Sequence, residues 1–224
     1  MPSAALAALR AYMLDNGGAA GGEFAEFVVA YFGNADPDEL DARGSPILVA
    51  MAKAHVRLLD ATDAPSLTRV RVFNPTLAED GFTCDHTVVQ IIHDDMPFLV
   101  DSVTMAVNRL GRMAHWIVHP LLIVERDVDH RIIRTASASS PGRQDARVLS
   151  FILVECDRIV SKDDRDRLAQ ELAQVLNDVR AAVADWPAML QRLQVGAAVS
   201  DRSILSKEGQ EEGVAFLSGY SGRA

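Results

Sequence analysis

Thr87-Val88-Val89-Gln90-Ile91-Ile92 is followed by His93-Asp94-Asp95-Met96-Pro97, and then by Phe98-Leu99-Val100-Asp101-Ser102-Val103-Thr104-Met105-Ala106-Val107-Asn108-Arg109-Leu110-Gly111. The first run is short, β-branched and apolar, which is the signature of a buried strand. Asp94 to Pro97 is a turn, and Pro97 suits the first turn of a helix, where a missing N–H costs nothing. Leu99, Val103, Ala106, Val107 and Leu110 recur at helical spacing and define one apolar face. Gly111 suits the C-terminal cap. The stretch therefore reads as strand, turn, helix.

The residues downstream extend this unit. Met113 to Arg126 reads as a long strand, with Pro120 expected to mark a bulge or an edge. Trp116, Val118, Leu122 and Val124 fall on one face, and Ile117, Leu121 and Ile123 on the other. Asp127 to Arg147 reads as a polar loop holding a short strand piece, His130 to Thr135. Leu149 to Cys156 is a further strand. Ser161 caps a long helix with Asp163 and Asp164 in its first turn and a stripe of Leu168, Leu172, Val175, Leu176, Val179 and Val183. The order is β-α-β-β-α, an α+β arrangement with an antiparallel sheet and its helices on one face. The strands are apolar on both faces, whereas a sheet with one wet face alternates. The second face is therefore expected to be covered, by the N-terminal helices or by another domain or subunit.

Upstream, residues 1–66 read as a helical segment. Ala4 to Leu14 is rich in Ala and Leu, Gly17 to Gly22 interrupts it, and Phe24, Phe27, Val28 and Tyr31 resume a helical spacing. Asp36-Pro37-Asp38-Glu39 is a helix start with a capping Asp and acids on the positive dipole end. Pro46 opens a helix carrying Leu48, Met51, Ala52, His55 and Leu59, and Ala61 to Thr68 is a connection. Arg69 to Phe73 alternates charged and apolar residues, as an edge strand does. The expected organisation is 1–66 helical, 67–195 a sheet-and-helix domain, and 196–224 a polar tail with one amphipathic piece, Val214 to Leu217. The tail reads as the cut end of a longer protein, a linker toward a further domain.

Composition narrows the function classes. The chain has 224 residues, 49% of them hydrophobic and 24% charged, with a net charge of −9. These values suit a globular protein with a real core. The acidic balance disfavours nucleic acid and anionic membranes as partners. No apolar run approaches the roughly 18 to 20 residues of a spanning helix, and the N-terminus lacks the pattern of a secretory signal. Cys84 and Cys156 form neither a disulfide framework nor a metal-ligand spacing, so a reduced, cytoplasmic protein is expected.

No dinucleotide fingerprint, phosphate loop or nucleophile elbow occurs. Gly17 to Gly22 follows a helical pattern, not a strand. His86 with His93 and His115 with His119 are the close histidine pairs. On one strand, His115 and His119 would lie about 13 Å apart, too far to share a metal ion. Asp94-Asp95 could serve metal binding or acid–base work, but a polar turn at a helix start explains it too, and no third ligand is placed. Asp101, Ser102 and Asn108 read as a polar helix face. No catalytic or metal-ligating residue is assigned.

Val70 to Leu77, His86 to Val89, Asp94 to Val103, His119-Pro120 and Glu125-Arg126-Asp127 together resemble the N-terminal region of the large bacterial NAD-specific glutamate dehydrogenases. The likeness is best over 69–127, and Glu211 to Leu217 resembles the helix leading to that family's next domain. The resemblance implies a parent enzyme that converts L-glutamate, NAD and water to 2-oxoglutarate, ammonia and NADH, with its dinucleotide fold and catalytic residues far downstream. No catalytic or NAD-binding residue carries over to this fragment, which is expected to be inactive alone and to bind no cofactor. The resemblance implies an ACT-like fold, βαββαβ, in which Val70 to Phe73 would fill the last strand's edge position. It also implies partners: the remaining domains of the same enzyme, in a homo-oligomer.

ACT domains bind ligands at the turn from the first strand into the first helix, where a glycine admits the ligand to the backbone. The resemblance places a ligand or interface turn at Asp94, Asp95, Met96, Pro97, Phe98 and Asp101. Phe98 occupies the expected glycine position. A ring filling that space would exclude a small amino acid. A non-catalytic regulatory or assembly role is therefore expected, with amino-acid sensing as the alternative.

Overall fold

The computed structural model describes residues 3–16, 21–60, 68–126, 132–137 and 146–200. Four helices come first: α1 (Ala4–Asn16), α2 (Gly21–Tyr31), α3 (Pro37–Arg43) and α4 (Ser45–Val56), the last continued by a 3-10 turn, Arg57–Asp60. Asp36 caps α3 as expected, its carboxylate accepting from the Asp38 N–H at 2.9 Å. Strand β1 (Thr68–Phe73) leads to a one-turn helix, α5 (Leu77–Asp80), which the sequence reading missed. Thr76 caps α5 through the Glu79 N–H. Then follow β2 (Thr87–Asp94), α6 (Leu99–Arg109), β3 (Ala114–Val118), β4 (Leu121–Arg126), β5 (Ile132–Ser137), β6 (Arg147–Cys156) and α7 (Lys162–Ser200).

Helix α6 ends in a Schellman motif. Gly111, at φ +69°, donates to the Asn108 carbonyl, and Arg112 donates to that of Val107. The two bonds satisfy carbonyls that the helix end leaves open, and the left-handed residue is glycine because it carries no Cβ penalty. Ser161 caps α7 through the Asp164 N–H.

The strands form one antiparallel sheet in the order β1-β2-β6-β4-β5, with β3 also on β6. Strand β1 therefore occupies the edge beside β2, the position the last strand of a βαββαβ unit would hold. Met113 to Arg126 is two strands, both paired to β6 along the same edge. The register is the same on either side of His119-Pro120: Val118 faces Leu153 and Leu121 faces Ser150. Pro120 therefore interrupts the ladder without shifting it, and its carbonyl still accepts from the Phe151 N–H at 3.0 Å. The bulge expected at Pro120 lies instead between Ala114 and Trp116. The strand piece expected at His130 to Thr135 is β5, Ile132–Ser137; residues 127–131 lie outside the described residues, as do Gly17 to Ala20, the 61–67 connection and 201–224.

The two-sided apolar pattern is explained by two layers. Val88 and Ile92 of β2, Trp116, Val118, Leu122 and Val124 of β3 and β4, and Leu149, Phe151 and Leu153 of β6 share one buried core with the N-terminal helices. The other parity, Val89, Ile91, Ile123, Ile152 and Val154, is buried with Leu99, Val103, Ala106 and Val107 of α6 and Leu168, Leu172 and Leu176 of α7. The N-terminal helices are therefore what covers the second face. A boundary at 66 does not separate two cores: residues 1–176 form one compact unit. That unit ends within α7, which runs on to Ser200, so the expected boundary at 195 falls inside a helix.

Aromatic packing fixes the helical layer. Phe27, Tyr31 and His55 gather on Phe151, with ring centroids 5.1 to 6.3 Å apart. The Tyr31 hydroxyl donates to His55 Nδ1 at 2.6 Å, and His55 Nε2–H donates to the Ile91 carbonyl at 3.0 Å. That pairing sets the neutral tautomer of a fully buried ring. Burial lowers His55 to about 3, the Ile91 bond opposing it, and burial holds the Tyr31 hydroxyl well above its usual range.

Candidate functional site

The turn from β2 into α6 is the sequence-derived candidate. Successive residues at a strand end point to opposite faces. Asp94 accordingly turns to the N-terminal helix side and pairs with Arg147, while Asp95 reaches the α6 side and accepts the Ser150 hydroxyl at 2.9 Å. The two carboxylates do not act as a pair. Among the described residues no three His, Cys, Asp or Glu side chains gather as a metal site.

Asp95, Ser150 and His119 form a chain of hydrogen bonds across three segments. Ser150 is fully buried in β6, and its Oγ lies 3.1 Å from His119 Nε2. Because that hydroxyl gives its proton to Asp95, His119 must donate through Nε2–H. Burial lowers the His119 imidazole below its ordinary range, with the Asp95 charge opposing. Serine sits between base and acid here, rather than histidine between serine and aspartate, so the arrangement is not a charge-relay triad. It ties the turn to the central strand.

Phe98 departs from its expected role. It adopts φ +69°, the left-handed region, and it does so alone among the described non-glycine residues. The backbone conformation is the one glycine would supply. The ring, however, is 64% exposed and does not plug the turn. Leu99, the first residue of α6, takes the buried position instead. Pro97 and Asp101 are exposed, and Met96 is partly buried.

A second polar cluster sits at the other end of β6. Glu155 is nearly buried and takes two bonds from Arg43, at 2.6 Å to Nη2 and 3.3 Å to Nε. Arg43 also pairs with Glu39. Its guanidinium lies 3.8 Å from the centre of the Trp116 ring, which stacks in turn on Phe32. Burial alone would lower the Arg43 guanidinium, but its bonds to Glu155 and Glu39 outweigh this and raise it. Nearby, the bulged His115 bonds Asp157 at 2.7 Å and its ring lies 4.6 Å from that of His86. The histidine pairings that matter are thus His86 with His115 and His119 with Ser150, which no sequence spacing signals. The bond network of Asp157 with the Met113 N–H and His115 lowers that carboxyl. Both cysteines are free thiols, and burial raises Cys156 to about 11 and Cys84 upward.

A strand–helix–strand unit, antiparallel partners in the order described and a turn at the head of the first helix define an ACT-like domain. The family model for the glutamate dehydrogenase ACT1 domain matches residues 27–172, and the chain belongs to that family. The match begins within α2, so the helical layer and the sheet fall under one family unit. The NAD-specific glutamate dehydrogenase of Halomonas elongata is 39% identical over 137 residues, 61% of this chain and 8% of the relative. That of Pseudomonas aeruginosa is 33% identical over 163 residues, 73% of this chain and 10% of the relative. The chain thus spans about a tenth or less of the length of these curated relatives.

Proposed function

We propose that this chain is a non-catalytic assembly or regulatory region of an NAD-dependent glutamate dehydrogenase, whose parent would convert L-glutamate, NAD and water to 2-oxoglutarate, ammonia and NADH. The names of the two relatives support the activity of the parent. NAD belongs to the parent and not to this region, whose partners are the remaining domains of the same enzyme within a homo-oligomer. A cytoplasmic setting fits the two free thiols, and among the described residues no helix is long and apolar enough to cross a membrane.

The observation that carries the non-catalytic reading is the burial of the hydroxyl at the turn. Among the described residues, the hydroxyl that bonds both a histidine and a carboxylate belongs to Ser150, which is fully buried in the central strand, so its oxygen is closed to a substrate. The test is an assay of the purified chain: NADH formation with glutamate, and calorimetric NAD binding, are expected to be absent. Saturable NADH formation would sink the reading.

Amino-acid sensing is the second reading, and one observation favours it. The Phe98 ring stands in solvent, so it does not block the turn. Calorimetry with glutamate, aspartate and other common amino acids decides. No heat at millimolar concentrations supports assembly; binding abolished by Asp95→Asn or Asp101→Asn supports sensing.

A further inference from the structure

We propose that His86 and His115 form a binding site for a divalent transition-metal ion of the zinc, nickel or copper class, with the two imidazoles as protein ligands and water filling the other positions. The two residues come from different segments. His86 directly precedes β2, and His115 is the extra residue of the β3 bulge, between Ala114, which faces Cys156, and Trp116, which faces Glu155. A bulge re-aims a side chain. Here the His115 ring lies 4.6 Å from that of His86, centre to centre, with the planes tilted by 36°. An ion about 2.1 Å from each of two ring nitrogens stands about 3.2 Å from each ring centre, so imidazoles on neighbouring coordination positions have centres about 4.5 to 5 Å apart. The pair already has that spacing.

Each ring is backed by a carboxylate. His115 Nε2 lies 2.7 Å from Asp157 Oδ1, and His86 Nδ1 lies 3.7 Å from Glu155 Oε2. A neutral imidazole that turns its N–H toward a carboxylate keeps its lone pair on the other nitrogen, here Nδ1 of His115 and Nε2 of His86. Histidines that ligate metals are oriented in this way. The carboxylates are themselves held, Glu155 by the Arg43 guanidinium and Asp157 by the Met113 N–H at 2.8 Å. They orient the rings and do not join them as ligands, in keeping with the lack of any three-ligand cluster among the described residues. Both histidine side chains are 36% exposed, so an ion and its waters can reach them.

The donor atoms name the ion. Neutral imidazole suits zinc, nickel and copper(II), whereas magnesium and calcium take oxygen. Cys84 stands two residues before His86, but its thiol donates to the His86 carbonyl at 3.3 Å and burial favours its protonated form, so ions that seek thiolate are not selected. A bound ion would clip the segment ahead of β2 to the bulge of β3, across the end of β6. The site is independent of the dehydrogenase reading, and its test needs no enzyme assay.

The purified, tag-free chain would be titrated with zinc chloride, and separately with magnesium chloride, by calorimetry. One zinc ion per chain is expected to bind, and magnesium is not. His86→Gln and His115→Gln should each weaken zinc binding by about tenfold or more. His119→Gln, at the other end of β6, should leave it unchanged. In the unaltered chain, zinc should shift the ring proton NMR signals of His86 and His115 and leave those of the buried His55 in place. Absence of zinc binding, equal binding of magnesium, either His86→Gln or His115→Gln within about twofold of wild type, equal loss in His119→Gln, or unshifted His86 and His115 signals would each overturn the proposal.

Discussion

Arg43 and Glu155 stand 112 residues apart in the chain and 2.6 Å apart in space. One belongs to the helical layer and the other to the central strand. The pair clamps α3 to β6, with Trp116 beneath the guanidinium. Glu155 is 2% exposed, and both of its carboxylate oxygens are bonded by this one guanidinium.

Arg43→Ala is expected to destabilise the fold by about 3 kcal/mol, because removing one member of a buried pair strands the other charge. Arg43→Ala with Glu155→Leu should cost less than Arg43→Ala alone. Urea unfolding of the three variants checks this, and a double variant weaker than the single would contradict it.

Phe98→Gly is expected to stabilise the chain by about 1 kcal/mol, since a side chain in the left-handed region costs about 1–2 kcal/mol and an exposed ring loses little burial. A gain of roughly 2–4 °C in Tm would follow at this size. The sequence alone suggests the opposite, a large loss from a buried ring. Calorimetric melting separates the two by sign.

Acid should weaken the fold through His55. Burial lowers its folded pKa to about 3, below the ordinary value of 6.5 that the unfolded chain keeps. The neutral ring is therefore favoured by folding, and that contribution is complete above pH 6.5. As pH falls toward 3, the unfolded chain takes up a proton that the folded chain refuses, and stability drops by about 1.4 kcal/mol per pH unit. His119, also lowered, acts in the same direction. Asp157, lowered too, loses its contribution only below the ordinary carboxyl range. Urea unfolding at pH 7 and 4.5 should show a loss of about 2–3 kcal/mol from His55. His55→Gln, whatever its stability at pH 7, should flatten this slope.

Val103→Asp should unfold or aggregate the chain, because Val103 is 1% exposed in the middle of the buried, apolar face of α6, where a charge would be stripped of water. A Tm within about a degree of wild type would refute that assignment.

Local signals carried the elements well. The Asp36 cap, the Ser161 cap, Gly111 and the faces of β3, β4 and α6 were legible because each depends on residues within one or two turns. The edge position of β1 came from the resemblance, and the register confirms it. What was not legible depends on register between distant strands. Ser150 meets Asp95 and His119 only because β6 lies between β2 and β4. Glu155 meets Arg43 only once a helix from before the sheet lies across it. The resemblance put Phe98 where a glycine is expected; its backbone is left-handed there, but its ring is exposed rather than filling the turn, and the resemblance carried no information on which way the side chain points.

The edge strand that completes the sheet is β1, which precedes every other strand. Among the described residues all six strands lie between Thr68 and Cys156. During synthesis this set has left the ribosome once Cys156 has emerged, so the first turns of α7, which carry Leu168, Leu172 and Leu176, condense onto strands that are already present.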